Sequence, residues 1–171
     1  PGIEKAYLFT RPIFFGATFG TTASYTLKDY AGFGYTKGRF GESVAVTNMH
    51  ALVGAPLAHK AFFFDKENPQ NIGSPGVWPE SPTATVDAYA EEDDFGGSVA
   101  LTDSLAVVGA HGAGKAFIFA FDGASWDTGA VATLFVTWLL GSGDGTIPNF
   151  GASVAIDDSF TIVGANNPTA Y

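Results

Sequence analysis

Three histidines and a run of four acids are the residues of this sequence with the most obvious capacity for chemistry. The acidic run consists of Glu91, Glu92, Asp93 and Asp94, and the histidines are His50, His59 and His111. The histidines show no His-x-x-x-His or histidine–carboxylate spacing, and the chain has no Cys, so no zinc, iron or thiolate site is predicted. We therefore expect ordinary surface histidines, no metal and no cofactor.

The other patterns that signal catalysis are incomplete. A glycosidase needs two acids about 5–10 Å apart in a cleft, and nothing in the spacing of the acids singles out such a pair. The serine-hydrolase motif Gly-x-Ser-x-Gly does not occur. Residues 109–115 (Gly-Ala-His-Gly-Ala-Gly-Lys) look like a phosphate loop, but Ala116 replaces the required Ser or Thr and a strand follows. The sequence therefore predicts a protein that is not an enzyme.

A repeat of 55 residues runs through the chain and must position these side chains. The segment Phe-Gly-Glu-Ser-Val-Ala-Val at 40–46 recurs as Phe-Gly-Gly-Ser-Val-Ala-Leu at 95–101 and as Phe-Gly-Ala-Ser-Val-Ala-Ile at 150–156. A Val-Gly-Ala follows at 53–55, 108–110 and 163–165. The glycines of Phe-Gly and Val-Gly-Ala are expected where neighbouring backbones approach closely. The predicted repeat-packing residues are Phe40, Gly41, Gly54, Phe95, Gly96, Gly109, Phe150, Gly151 and Gly164.

Each period contains four short β-type segments separated by turn residues, and no long amphipathic helix pattern is present. Four strands in about 55 residues is typical of a β-propeller blade. The sequence therefore predicts an all-β fold of three four-stranded antiparallel repeats, cut out of phase with the blade ends. Residues 1–56 form the first repeat, 57–111 the second, and 112–171 the third with the start of a fourth, together one propeller segment.

The motif Phe-Gly-x-Ser-Val-Ala followed by Val-Gly-Ala-Pro, complete only at residues 53–56, resembles the FG-GAP repeat. That family includes the integrin alpha-subunit propeller and many microbial extracellular proteins. The resemblance implies a β-propeller, an extracellular or cell-surface location and a role in adhesion. Calcium-binding members carry an Asp-rich loop between the first two strands of a blade. Here that link is only a tight turn, at residues 47–50 for example, so we expect no calcium site of this type.

One end of the predicted blades collects most of the polar loop residues. In up-and-down blades, the link entering the Phe-Gly strand and the link between the second and third strands share one face. A polar ligand or a cation could bind there, while a solvated loop is the alternative. The candidate ligand-face residues are Glu91, Glu92, Asp93, Asp94, His111 and Asp144.

The outermost strand of the third predicted blade, residues 134–140, is apolar on both faces. Phe135 stands there in the position of Lys28 and Asp87 in the other repeats. An apolar strand at an exposed edge predicts contact with a partner, and burial by loops of the same chain is the alternative. The candidate partner-binding residues are Phe135, Trp138, Leu139 and Leu140.

Charge is divided unevenly along the chain, whose formal net charge is −9. Residues 1–66 hold seven bases and four acids, whereas residues 67–171 hold thirteen acids and one base. One end could attract the opposite end of a second copy, or the split could be drift among surface residues. The net charge argues against binding nucleic acid, and the longest apolar run, 130–140, is too short to cross a bilayer.

The positions of the first and last residues within the repeat are relevant to assembly. Pro1 falls in the register of Pro56, and Tyr171 falls within the third strand of the next copy. The chain is thus expected to be a piece of a longer propeller, or to join further copies head to tail in a surface assembly or filament. We predict a non-enzymatic extracellular adhesion or assembly module. The alternatives are a carbohydrate-binding propeller that stacks glycans on Trp78 or Trp126, and the non-catalytic propeller part of a larger secreted enzyme.

Overall fold

The structure, a computed structural model, describes residues 4–11, 16, 18–29, 38–67, 76–87, 94–135 and 149–166. These residues contain short strands, two single-turn 3₁₀ helices (Pro56–Ala58 and His111–Ala113) and no α-helix. The strands are β1 (Lys5–Leu8), β2 (Tyr25–Lys28), β3 (Ser43–Val46), β4 (His50–Ala55), β5 (Lys60–Asp65), β6 (Ala84–Asp87), β7 (Phe95–Leu101), β8 (Leu105–Ala110), β9 (Lys115–Ala120), β10 (Ala132–Phe135), β11 (Ser153–Ile156) and β12 (Thr161–Gly164).

The strands form antiparallel sheets in chain order. Strands β3-β4-β5-β6 form the first complete sheet and β7-β8-β9-β10 the second complete sheet. Strands β1 and β2 form a two-stranded N-terminal half-sheet, and β11 and β12 form a C-terminal half-sheet. The prediction of an all-β fold with four-stranded antiparallel sheets is confirmed. Their arrangement as propeller blades and the number of blades stay predictions.

Equivalent residues of the repeat pair in the same register in every sheet. Gly54 pairs with Ala61 in the first complete sheet, as Gly109 pairs with Ala116 in the second. The N-terminal half-sheet has the register of the third and fourth strands, because Lys5 opposes Lys28 as Lys60 opposes Asp87. The C-terminal half-sheet has the register of the first and second strands, since Ser153 opposes Gly164 as Ser43 opposes Gly54. The two half-sheets are therefore different halves of the same four-stranded unit.

The first hairpin of each repeat closes by the same side-chain hydrogen bond. The backbone N–H of His50 donates to Thr47 Oγ1 (3.1 Å), and that of Leu105 donates to Thr102 Oγ1 (3.0 Å). In the third repeat Asp157 takes the place of Thr, and its carboxylate accepts from the N–H of Phe160 (2.6 Å). Such bonds satisfy the turn backbone locally, which explains why so short a link suffices.

The sheets pack face to face, and their strands are apolar on both faces where another sheet covers each side. All six residues of β4 are buried. Leu52 faces the second complete sheet, whereas Val53 faces the N-terminal half-sheet. A strand covered on both sides reads as a continuous apolar run, as His-Ala-Leu-Val-Gly-Ala nearly does. The core is thus a series of layers between successive sheets.

Candidate interaction surfaces

Neighbouring sheets meet through a serine hydroxyl and a glycine carbonyl. Ser43 Oγ donates to the carbonyl of Gly96, and Ser98 Oγ donates to the carbonyl of Gly151, both at 2.7 Å. Gly96 and Gly151 have φ of +91° and +97°, a conformation that residues with a side chain rarely adopt. The Phe-Gly motif therefore presents a backbone carbonyl to the sheet before it.

The glycines of the Val-Gly-Ala motif make room for that carbonyl. A methyl group at Gly54 would overlap the carbonyl oxygen of Gly96, and one at Gly109 would overlap that of Gly151. At Gly164 the three atoms nearest to such a methyl group all belong to Ser153 of its own sheet. Among the described residues, the Val-Gly-Ala glycine is thus covered by a following sheet in two repeats and uncovered in the C-terminal half-sheet.

The phenylalanines of the motif lie in the layers between sheets. Phe40, Phe95 and Phe150 are each buried. The ring of Phe40 packs edge-on against Phe62 (5.4 Å between centroids), and that of Phe95 packs likewise against Phe117 (5.5 Å). Gly41, in the first copy of the motif, has φ +94°, close to the values of Gly96 and Gly151.

The outward faces of the two ends of the stack are apolar. Val44 on β3 is 62% exposed, and its neighbour Val46 is exposed as well, whereas their equivalents Val99 and Leu101 pack against the core. On β12, Ile162 is 70% exposed. The equivalents of Ile162 are Leu52 and Val107, each 0% exposed because the next sheet covers them. These two uncovered faces are the first candidate interaction surface.

The outer edge forms a second surface. Phe135 is exposed and opposes Lys115 at the end of β10. Of the other residues predicted to bind a partner there, Trp138, Leu139 and Leu140 lie outside the described residues. Beside Phe135 a groove runs between β10 and the C-terminal half-sheet. It is lined by Thr133, Leu134, Phe135, Phe150, Thr161 and Val163.

At the loop end, the residue before each Phe has a positive φ in all three repeats: Arg39 (55°), Asp94 (48°) and Asn149 (39°). Asp94 Oδ2 lies 3.3 Å from His111 Nε2, so the structure brings together these two predicted ligand-face residues. In the third repeat, Asn149 Nδ2 donates to Asn166 Oδ1 (2.8 Å). The remaining predicted members, Glu91, Glu92, Asp93 and Asp144, lie outside the described residues.

A buried polar cluster, which the sequence did not reveal, joins the two complete sheets. His50 is buried at the start of β4, so the expectation that it is a surface residue is wrong. Its Nδ1 lies 2.7 Å from Asp65 Oδ1, which also accepts from Trp126 Nε1 (2.9 Å), while Thr83 Oγ1 donates to Asp65 Oδ2 (2.6 Å). Both acceptor oxygens of Asp65 are therefore engaged.

The aromatic packing around His50 encloses its ring. Phe121 lies 4.6 Å and Trp126 lies 5.3 Å from the imidazole, measured between ring centroids. The only sequence signal for this cluster is a departure from the repeat. His50 corresponds to Leu105 and Phe160, and Asp65 corresponds to Ala120. A polar pair replacing an apolar pair at opposed positions of two strands marks an added interaction.

The described residues contain no group of three or more His, Asp or Glu side chains suited to holding a metal ion. Trp78 and Trp126 are both buried, so neither presents a free ring face on which a sugar could stack. Within the same part of the chain, no helix has the length and apolar character to span a bilayer.

Comparison with known proteins does not identify the chain. No family model matches it, and no curated protein does either. The resemblance to the FG-GAP repeat therefore depends on the motif and its 55-residue spacing.

Proposed function

We propose that this protein is a non-enzymatic, propeller-type assembly module that acts by binding further protein, either copies of itself or the rest of a longer chain. The extracellular location belongs to the same proposal and depends on the FG-GAP resemblance. One observation gives this proposal its strongest support. Positions that pack against a neighbouring sheet inside the chain are exposed and apolar at both ends of the stack: Val44 corresponds to the partly buried Val99, and Ile162 corresponds to the buried Leu52 and Val107.

Apolar surface of this kind favours association. Burying one Val or Ile side chain contributes about 1.5–3 kcal/mol, and a contact between two ends of the stack covers several of them. Charge favours the same partner, because residues 1–66 carry an excess of bases and residues 67–171 an excess of acids. Opposite ends of two copies therefore attract one another, which raises the association rate more than the final affinity.

The buried histidine supports a structural role over a catalytic one. A general base must reach the proton of a substrate, directly or through one water molecule. The side chain of His50 is 7% exposed and lies between Phe121 and Trp126, and its carboxylate partner Asp65 already accepts from Trp126 and Thr83. This arrangement holds two sheets together and leaves no room for a substrate.

Measuring the mass of the particle in solution tests the proposal. Light scattering after gel filtration, at concentrations from micromolar to millimolar, should give a mass above the 17.8 kDa of one chain. Adding salt should reduce association, since screening weakens attraction between exposed charges. Phe135→Lys should lower the mass, while Leu57→Lys, a change at an exposed residue of the loop end, should not. A mass of one chain at every concentration would refute self-assembly.

A further inference from the structure

Building on the proposed function, we infer that two copies join by completing one sheet. The N-terminal half-sheet of a second copy pairs through β1 with the exposed edge of β12 and makes a composite four-stranded sheet. Among the described residues, β12 has β11 as its only strand partner, and β1 has only β2. The two half-sheets supply different strands of the same unit, so they are complementary and not alternatives.

The register of the joint follows from the repeat. In the two complete sheets, Val53 opposes Phe62 and Val108 opposes Phe117. Moving the same pairing by one repeat places Val163 opposite Tyr7 of the second copy. Gly164 then opposes Ala6, as Gly109 opposes Ala116. The pairing joins the edges of β1 and β12 that have no strand partner among the described residues, and such edges otherwise invite nonspecific pairing.

The same placement covers the apolar face of β12. Inside the chain, β7 packs over β4, and β11 packs over β8. By this geometry, β3 of the second copy packs over β12. Ile162, which is 70% exposed, then meets Val44 of the second copy, which is 62% exposed. Both residues enter the kind of layer in which Leu52 and Val107 are 0% exposed.

The joint also supplies a glycine carbonyl that can accept a hydrogen bond from Ser153. Ser43 and Ser98 each donate to the glycine carbonyl of the following sheet, whereas Ser153 has no following sheet among the described residues. Gly41 has φ +94°, nearly the value of Gly96 and Gly151. The second copy therefore offers the carbonyl of Gly41 to Ser153 in the geometry that the chain already uses twice.

The groove beside β10 receives the aromatic side chains of β1. Tyr7 on β1 and Phe9, which follows β1 directly, are 56% and 48% exposed in the single chain. Their equivalents Phe62 and Phe64 are buried, because those rings pack against the preceding half-sheet. In the composite sheet, Tyr7 and Phe9 of the second copy point into the groove that includes Leu134, Phe150 and Val163.

A mixing experiment tests this head-to-tail joint. Ile162→Asp damages only the C-terminal surface, and Val44→Asp damages only the N-terminal surface. Both residues are exposed in the single chain, so both variants should keep the fold of the monomer. Each variant alone should associate at least about 100-fold more weakly than the unchanged chain. Mixed in equal amounts, they should form dimers and nothing larger, because one intact joint remains per pair.

The controls separate this joint from other modes of assembly. Leu57→Asp, at another exposed apolar residue, should leave assembly unchanged. The chain has no Cys, so Val163→Cys in one copy and Tyr7→Cys in another should form a disulfide between copies on oxidation. Val163→Cys with Phe9→Cys, out of register, should cross-link far less.

The outcomes distinguish the joint from the broader proposal. If the unchanged chain assembles but the mixed variants stay monomeric, the joint is wrong while assembly by another surface stands. If the unchanged chain stays monomeric at every concentration, both the joint and self-assembly are wrong. Full assembly by either aspartate variant alone would also overturn the joint.

Discussion

Gly109→Ala is the substitution that tests most directly how neighbouring sheets are held together. A methyl group at this position overlaps the carbonyl oxygen of Gly151 and the hydroxyl of Ser98. Neither can move independently, because the carbonyl belongs to the backbone of the next sheet and Ser98 Oγ is hydrogen bonded to it (2.7 Å). The sheets must therefore separate, or the hydrogen bond must break.

The magnitude follows from two costs. Forcing one extra carbon into a packed interface typically costs about 1–3 kcal/mol. Losing the hydrogen bond of Ser98 to the Gly151 carbonyl adds about 0.5–1.5 kcal/mol. Together these predict a loss of roughly 1.5–4.5 kcal/mol in the free energy of unfolding, a large part of the stability of a domain of this size.

Urea denaturation followed by circular dichroism measures this change. Gly129→Ala is the matched control, because a methyl group there meets nothing within 4 Å and the residue needs no positive φ. Gly164→Ala should be intermediate, since its methyl group meets Ser153 but no carbonyl of a following sheet. If Gly109→Ala unfolds at the same urea concentration as Gly129→Ala, the close approach does not hold the sheets together.

The polar cluster and the hairpin turns yield two further predictions. Asp65→Ala should lower the free energy of unfolding, measured in urea, by about 2–4 kcal/mol, because the buried donors of His50 and Trp126 lose their acceptor. Asp103→Ala, at an exposed turn residue, is the control. An effect of Asp65→Ala no larger than that of the control would contradict the prediction. Backbone N–H groups lower the pKa of Asp157, so its stabilising effect is present above the ordinary Asp pKa of about 4 and is lost as pH falls through the lowered value. In Asp157→Asn the free energy of unfolding should therefore fall less steeply as the pH is lowered. The same pH dependence as in the unchanged chain would contradict this prediction.

Sequence periodicity was enough to predict the strands and their grouping. The alternation in Ser-Val-Ala-Val and the turn residues after it place β3, β7 and β11, and the spacing of 55 residues places their partners. Blade topology also led us to expect Asp94 and His111 on one face, and the two lie in contact. These features follow from local pattern and repetition, which a sequence displays directly.

The polar cluster could not be predicted in the same way. His50 and Asp65 come together because β4 and β5 pair in one particular register, and Trp126 reaches them from 61 residues away in the next repeat. Nothing in the spacing of three such residues marks them as neighbours. Likewise, the exposure of Val44 and Ile162 depends on which sheets cover them, which the repeat pattern alone does not specify.

The residue before the Phe of each Phe-Gly motif has a left-handed backbone conformation, and this affects how such a module can diversify. A base, an acid and an amide occupy this position at Arg39, Asp94 and Asn149 with nearly the same backbone angle. Each of these side chains contacts a polar partner outside the strands, namely Glu42, His111 or Asn166, so the pair can change while the strand pairing stays constant. Successive units can thus present different charges at one fixed point in space, much as variable loops on a rigid framework create new specificities.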